Sequence, residues 1–201
     1  NRLFPTSIYF FKTINTTMVN FYISDFHWGH QEMVNYDNCP FDTIEEQEEA
    51  IIRNWNKRVR QQDTGYILGD VSYKPRDETL DALAQLNGNV IVLKGNHDRW
   101  IQPSNDYCPD CLTIKDEAFG QETYVFLCHY PCAVWDREHD GGVHIYGHVH
   151  SRMNNDGTMR HAVLDHYDME RAFNCGCMMP YMDYTPRTLY EIMTAHGFKQ
   201  L

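Results

Sequence analysis

The sequence has no apolar run approaching the roughly 18 residues that a membrane-spanning helix needs, so no membrane partner is expected. It also lacks a basic surplus: 17 lysines and arginines stand against 28 aspartates and glutamates, a formal net charge of −11. That balance excludes the broad positive face with which proteins cling nonspecifically to nucleic acid or anionic lipid. It leaves open a phosphate-bearing substrate, because bound cations reverse the local sign of a site. Internal repeats and low-complexity tracts are absent. The apolar patch Ile8, Tyr9, Phe10 and Phe11 is too short for the core of a secretory leader, and no small-residue cleavage site follows it. With that patch set aside, the seven cysteines (Cys39, Cys108, Cys111, Cys128, Cys132, Cys175 and Cys177), an odd number, read as free thiols in a reducing cytoplasm. The competing reading is a zinc knuckle from Cys108 and Cys111 with Cys175 and Cys177, against which the spacing of the two pairs counts.

What is present is a globular chain of one domain's length, with 201 residues and 42% hydrophobic content. Residues 1–17 show no clear period, and Met18 directly precedes the first strong strand. They are expected to be an extension, upstream of the natural start or foreign to the protein, ahead of a domain at 18–201. An added edge strand is the alternative, because SIYFFKTI is rich in β-formers. From Val19 onward strands and helices alternate. Strands are predicted over 19–24, 65–70 and 90–98, and helices over 43–59 and 76–88. Thr43 caps the first helix, with acids at its start and bases at its end. Its run Arg53, Lys57, Arg58 and Arg60 therefore reads as helix-end chemistry rather than a nucleic-acid patch. The second half turns strand-rich, over 123–130, 143–150 and 171–176. A last helix runs from Pro186 to about His196, capped by Thr185. This order predicts two packed sheets with helices outside.

Five polar clusters lie at or just past the predicted strand ends: Asp25 with His27, Gly69-Asp70, Gly95-Asn96-His97-Asp98, His129, and His148 with His150. Ligands of layered α/β folds bind where the loops at the carboxyl ends of strands converge. Residues two apart on extended backbone point the same way, so Asp25 with His27, and His148 with His150, each aim two donors at one place. Two aspartates, four histidines and one asparagine exceed what one ion takes, and with one bridging carboxylate they serve two ions with four contacts each. The lack of cysteine in these clusters favours hard or borderline divalent metals such as manganese, iron, zinc, nickel or cobalt. Singly, each cluster is an ordinary turn or core histidine; all five in order are not what turns alone produce.

The order Asp-x-His, Gly-Asp, Gly-Asn-His-Asp, His, Gly-His-x-His resembles the calcineurin-like metallophosphoesterase superfamily. SDFHWGHQEMVNYDNCPF and NWNKRVRQQDTGYILGD further resemble a small bacterial and phage-type branch. The resemblance implies a two-sheet β-sandwich flanked by helices in an αββα arrangement. It implies that Asp25, His27 and His150 hold one metal, that Asn96, His129 and His148 hold a second, and that Asp70 bridges them. His97 then faces the substrate, with Asp98 fixing its ring. Gly95 is expected to let the backbone turn sharply, and the apolar run before it to anchor a central strand.

Two divalent ions so placed make hydroxide available near neutral pH for in-line attack on phosphorus, and His97 is the candidate general acid for the departing oxygen. His30 and Arg99 are the further candidates for substrate contact. His139, His144, His161, His166 and His196 match no motif. The expected substrate is a small phosphodiester. The alternatives are a phosphomonoester, a nucleic acid (which the acidic balance disfavours), a non-catalytic binding module on the same fold, or a structural zinc protein built on the cysteines.

Overall fold

A computed structural model describes residues 17–35, 39–102, 106–150 and 170–201. The expectation for the N-terminal extension, and His161 and His166, lie outside the described residues apart from Thr17. Strands β1 (Asn20–Ile23), β2 (Thr64–Leu68) and β3 (Asn89–Leu93) form a parallel sheet in the order β1-β2-β3. Strands β4 (Cys111–Ala118), β5 (Gln121–Cys128), β6 (Val143–Tyr146) and β7 (Ala172–Asn174) form a mixed sheet in chain order, β4-β5 antiparallel and the rest parallel. Helices α1 (Ile44–Arg58), α2 (Arg76–Leu83) and α3 (Leu189–Ala195) flank the sheets. The expected two-sheet α/β sandwich is what forms.

The sheets share one core. Ile23, Ile67, Leu68 and Leu93 of the first and Val125, Leu127, Val143, Ile145 and Phe173 of the second are all buried in it. Each such side chain contributes about 1.5–3 kcal/mol relative to exposure. α1 begins at Thr43, whose side chain accepts from the Glu46 backbone N–H, and it buries Ile51 and Trp55. Trp55 lies directly over Gly65, where a Cβ would stand 2.2 Å from the indole ring. α3 starts later than expected. Its cap is Thr188, not Thr185, because Thr188 and Glu191 complete a reciprocal capping box. Arg58 of α1 forms a two-pronged ion pair with Glu191 at 2.7 and 2.8 Å, and Arg60 pairs with Asp63. Two of the four bases are thus paired within the chain, whereas Arg53 and Lys57 are exposed.

Two expectations are corrected. Among the described residues β3 is not central but lies at the edge of its sheet, and only Leu93 of its apolar run is fully buried. β4 was not anticipated, because Lys115, Asp116 and Glu117 interrupt its apolar pattern; its full-length register with β5 pairs it nonetheless. Among the described residues no helix is long and apolar enough to cross a membrane.

The sheets meet at one rim. Past β1, Ser24 donates to the Cys175 carbonyl and accepts from the Cys177 N–H, joining the end of β1 to the segment after β7. Asp25 and His27 donate backbone N–H bonds to Gly69 and Asp70. The carboxyl ends of β1, β2, β3, β5 and β6 therefore open on one place.

Candidate metal centre

Two groups of side chains converge there. Asp25, His27 and His150 bring ligand-type atoms within 4.8 Å of one another, and Asp70, His129 and His148 do the same. His27 Nε2 faces His150 Nε2 at 3.1 Å and lies 4.0 Å from Asp25 Oδ1. Asn96 Oδ1 is 3.0 Å from His129 Nε2, which adds the amide oxygen to the second group. The same Asp70 oxygen, Oδ2, lies 3.8 Å from His27 Nε2 and 3.4 Å from His129 Nε2, so it faces both groups.

The electrostatics suit cations. Burial, followed by the facing His150, pushes His27 down to about 3, which leaves a neutral imidazole with a lone pair to offer. Burial disfavours a charged His129 as well, but its hydrogen bond to Asp70 and the charges of Asp25 and Asp70 prevail and lift it to about 9. Burial opposes ionisation of Asp70, yet His129, the His97 backbone N–H and His27 together bring it to about 2. Asp25 is raised by burial. Two buried carboxylates without cations would repel, whereas oxygen and imidazole donors crowded together, the aspartates, His27 and His129 buried and His148 and His150 half-buried, fit two divalent ions.

The backbone is strained where these donors sit. Asp25, His27, Asp70 and His148 have φ of 60°, 50°, 53° and 68°, the left-handed region that side chains with a Cβ rarely adopt. Each costs on the order of 1–3 kcal/mol, which the surrounding structure must offset. Part of the brace is visible: the His148 N–H points at both Asp25 oxygens, Ser24 Oγ donates to Asp25 Oδ2 at 2.6 Å, and Gln47 of α1 holds the Phe26 carbonyl.

Glycines admit the close approach. A Cβ on Gly147 would lie 2.6 Å from Asp25 Oδ2, and one on Gly95 would lie 2.3 Å from both the backbone nitrogen and Oδ1 of Asp70. Gly95 has no positive φ, so its smallness rather than a sharp turn is what this place requires. Gly95→Ala is expected to displace Asp70 by on the order of 1 Å and so weaken divalent-metal binding. Calorimetric metal titration and a crystal structure of the variant check this, and an unmoved Asp70 would contradict it.

Asp98 has a different task from the one expected. Its buried carboxylate accepts from the backbone N–H groups of Asp70, Val71 and Gly95, each at 2.8 Å, and from Trp100 Nε1 at 2.9 Å. It ties the loop after β2 to the loop after β3, and the His97 ring is not among its partners. Asp98→Asn turns an NH2 toward two of those donors and is expected to cost about 2–5 kcal/mol of stability. A loss below about 1 kcal/mol in denaturant titration would contradict this role.

His97 is half-buried, and its Nδ1 meets the Tyr73 hydroxyl at 2.6 Å. His30 packs against Tyr73 with ring centres 4.4 Å apart and planes tilted by 33°, and lies 6.3 Å from the His27 ring. Buried Nδ1 atoms of His27 and His30 have no hydrogen-bond partner among the described residues. Arg99 is exposed beside this group. Tyr130 packs edge-on to both His129 and His148. Tyr73 and Tyr130 escaped sequence reasoning; the only signal was a tyrosine three residues past Asp70 and another just after His129. His144 is a core histidine, held by Phe126 and Cys132 backbone groups.

All seven cysteines are free. Cys175 and Cys177 pack beneath Asp25, on Ser24 Oγ and the Asp25 carbonyl, whereas Cys108 lies on the Val92 carbonyl. Among the described residues none belongs to a cluster of three metal-ligand side chains.

Sheets, strand ends and paired Asp/His clusters define a metallophosphoesterase fold, and the chain belongs to the calcineurin-like phosphoesterase family, whose model matches residues 21–152. It is 33% identical to MJ1445 of Methanocaldococcus jannaschii over 132 residues, covering 64% of this chain and 68% of that one. It is 26% identical to the gene 66 protein of Mycobacterium phage L5 over 162 residues, covering 66% and 77%. Among solved structures, AQ665 from Aquifex aeolicus shares the fold, with a TM-score of 0.62 and 24% identity over 89% of this chain and all of that one.

Proposed function

We propose that the protein is a dinuclear metal-dependent phosphohydrolase acting on small phosphodiesters. The observation that carries this reading is the single Asp70 oxygen facing histidines of both clusters, at 3.8 and 3.4 Å. Asp25, His27 and His150 would hold one ion, Asn96, His129 and His148 the other, and Asp70 both. When bound, such ions supply a water nucleophile near neutral pH and offset phosphate charge.

The chain's own groups do the rest. The N–H of His148 and Ser24 Oγ keep Asp25 turned inward, and the Asp98 carboxylate keeps the Asp70 and His97 loops in register. His97 presents Nε2, the ring nitrogen not engaged by Tyr73, and gives a proton to the departing ester oxygen. His30 and Arg99 border the first cluster and are proposed to contact the phosphate. The partly exposed rings of Tyr73 and Tyr130 edge the two clusters and are proposed to flank the second substituent of a diester. The net charge of −11 disfavours long nucleic acids.

The test is a panel of phosphomonoesters, phosphodiesters, cyclic nucleotides and oligonucleotides, each assayed with manganese, iron, zinc, nickel and cobalt. Small diesters are expected to turn over fastest. A preference for monoesters would overturn the diester assignment, and inactivity on every ester with every metal would overturn the enzyme.

A further inference from the structure

We propose that Tyr73 is the positioning residue of His97, holding the imidazole through Nδ1 so that Nε2 is the nitrogen offered to the leaving group. The role within catalysis rests on the phosphohydrolase reading; the hydrogen bond itself does not.

Three observations point to it. Asp98, the nearest carboxylate in sequence, spends its acceptor capacity on four donors other than the His97 ring. The contact between Tyr73 Oη and His97 Nδ1 is short, at 2.6 Å. The two rings also stack, with centres 5.0 Å apart and planes 28° from parallel, so hydrogen bond and ring contact restrain the imidazole together. Tyr73 also contacts the His30 ring, at 4.4 Å between ring centres.

A phenol does this differently from a carboxylate. A hydroxyl both donates and accepts, so it bonds a bare Nδ1 as donor and a protonated Nδ1 as acceptor. As a general acid His97 starts as an imidazolium and ends as the neutral ring that keeps its Nδ1 proton. The Tyr73 hydroxyl therefore accepts from Nδ1–H both before and after Nε2 gives up its proton. A neutral phenol also brings no further negative charge into a place that already contains Asp25 and Asp70. Because Tyr73 is 43% exposed, water partly replaces a lost hydroxyl, and the effect is that of one ordinary hydrogen bond.

Tyr73→Phe keeps both ring contacts and deletes only the hydroxyl. In zinc-loaded, 15N-histidine-labelled protein, the His97 Nδ1 resonance, assigned by its absence from His97→Ala, is expected to move in Tyr73→Phe. An unchanged resonance would overturn the hydrogen bond whether or not the protein proves to be an enzyme. In turnover, Tyr73→Phe is expected to lower kcat about 3- to 10-fold on an alkyl-alcohol leaving group and much less on a nitrophenolate. In a His97→Ala background it is expected to cost nothing further. An equal loss on both leaving groups, or an undiminished loss without His97, would overturn the positioning role. Wild-type inactivity on all esters would instead strike the phosphohydrolase reading, leaving the resonance to decide the contact.

Discussion

Asp70→Asn is expected to reduce phosphodiester hydrolysis by on the order of 10³-fold or more and to lower bound metal from about two ions per chain to one or none. The expectation follows from one atom. Asp70 Oδ2 faces His27 and His129, one from each cluster, so removing its charge weakens both sites at once. Replacement of one of the proposed histidine ligands removes a donor from one cluster only and is expected to leave the second ion in place. The amide is nearly isosteric, and its oxygen can still accept the His97 backbone N–H that Asp70 Oδ1 accepts at 2.8 Å. The fold should therefore survive, and circular dichroism of the variant should match wild type. Loss of activity with two ions still bound would assign Asp70 to some task other than bridging.

His97→Ala is expected to cost about 10²–10⁴-fold on a diester with an alkyl-alcohol leaving group, the usual worth of general acid catalysis. A nitrophenolate departs without help, so the same variant should lose far less on a nitrophenyl ester. Metal content should stay near wild type, because His97 lies outside both clusters of ligand atoms. Equal losses on the two substrates would make His97 a phosphate-binding or charge-stabilising group. Loss of metal would make it a ligand.

The seven proposed ligands were conspicuous in the sequence for a physical reason. Strand ends in an open α/β sheet are places where polar side chains either turn the chain or bind something, and paired acids and imidazoles exceed what turning requires. α1 was legible through Thr43, its acidic first turn and its basic last turn. The start of α3 was misplaced because two threonines three residues apart both suit a cap, and only Glu191 distinguishes Thr188. Strand β4 hid behind its charged middle, and the apolar character of β3 gave no sign of its edge position, since three of its residues are only half-buried.

The supporting residues were the least legible. Nothing in the order Gly-Asn-His-Asp distinguishes a carboxylate turned toward a neighbouring imidazole from one turned down into backbone amides; the close passage of the β2 and β3 loops decides it. Tyr73 joins His97 from 24 residues away, through the fold alone. Left-handed backbone at Asp25, His27, Asp70 and His148 is equally invisible, because none of these is glycine and their conformation is imposed by the loops packed around them.

The most direct test of the dinuclear centre is a titration of chelator-stripped protein with manganese, following diester hydrolysis against ions added per chain. Activity is expected to be absent at the start and to reach its plateau at about two ions per chain. A plateau at one ion, or full activity in the stripped protein, would contradict a centre in which Asp70 joins two metals.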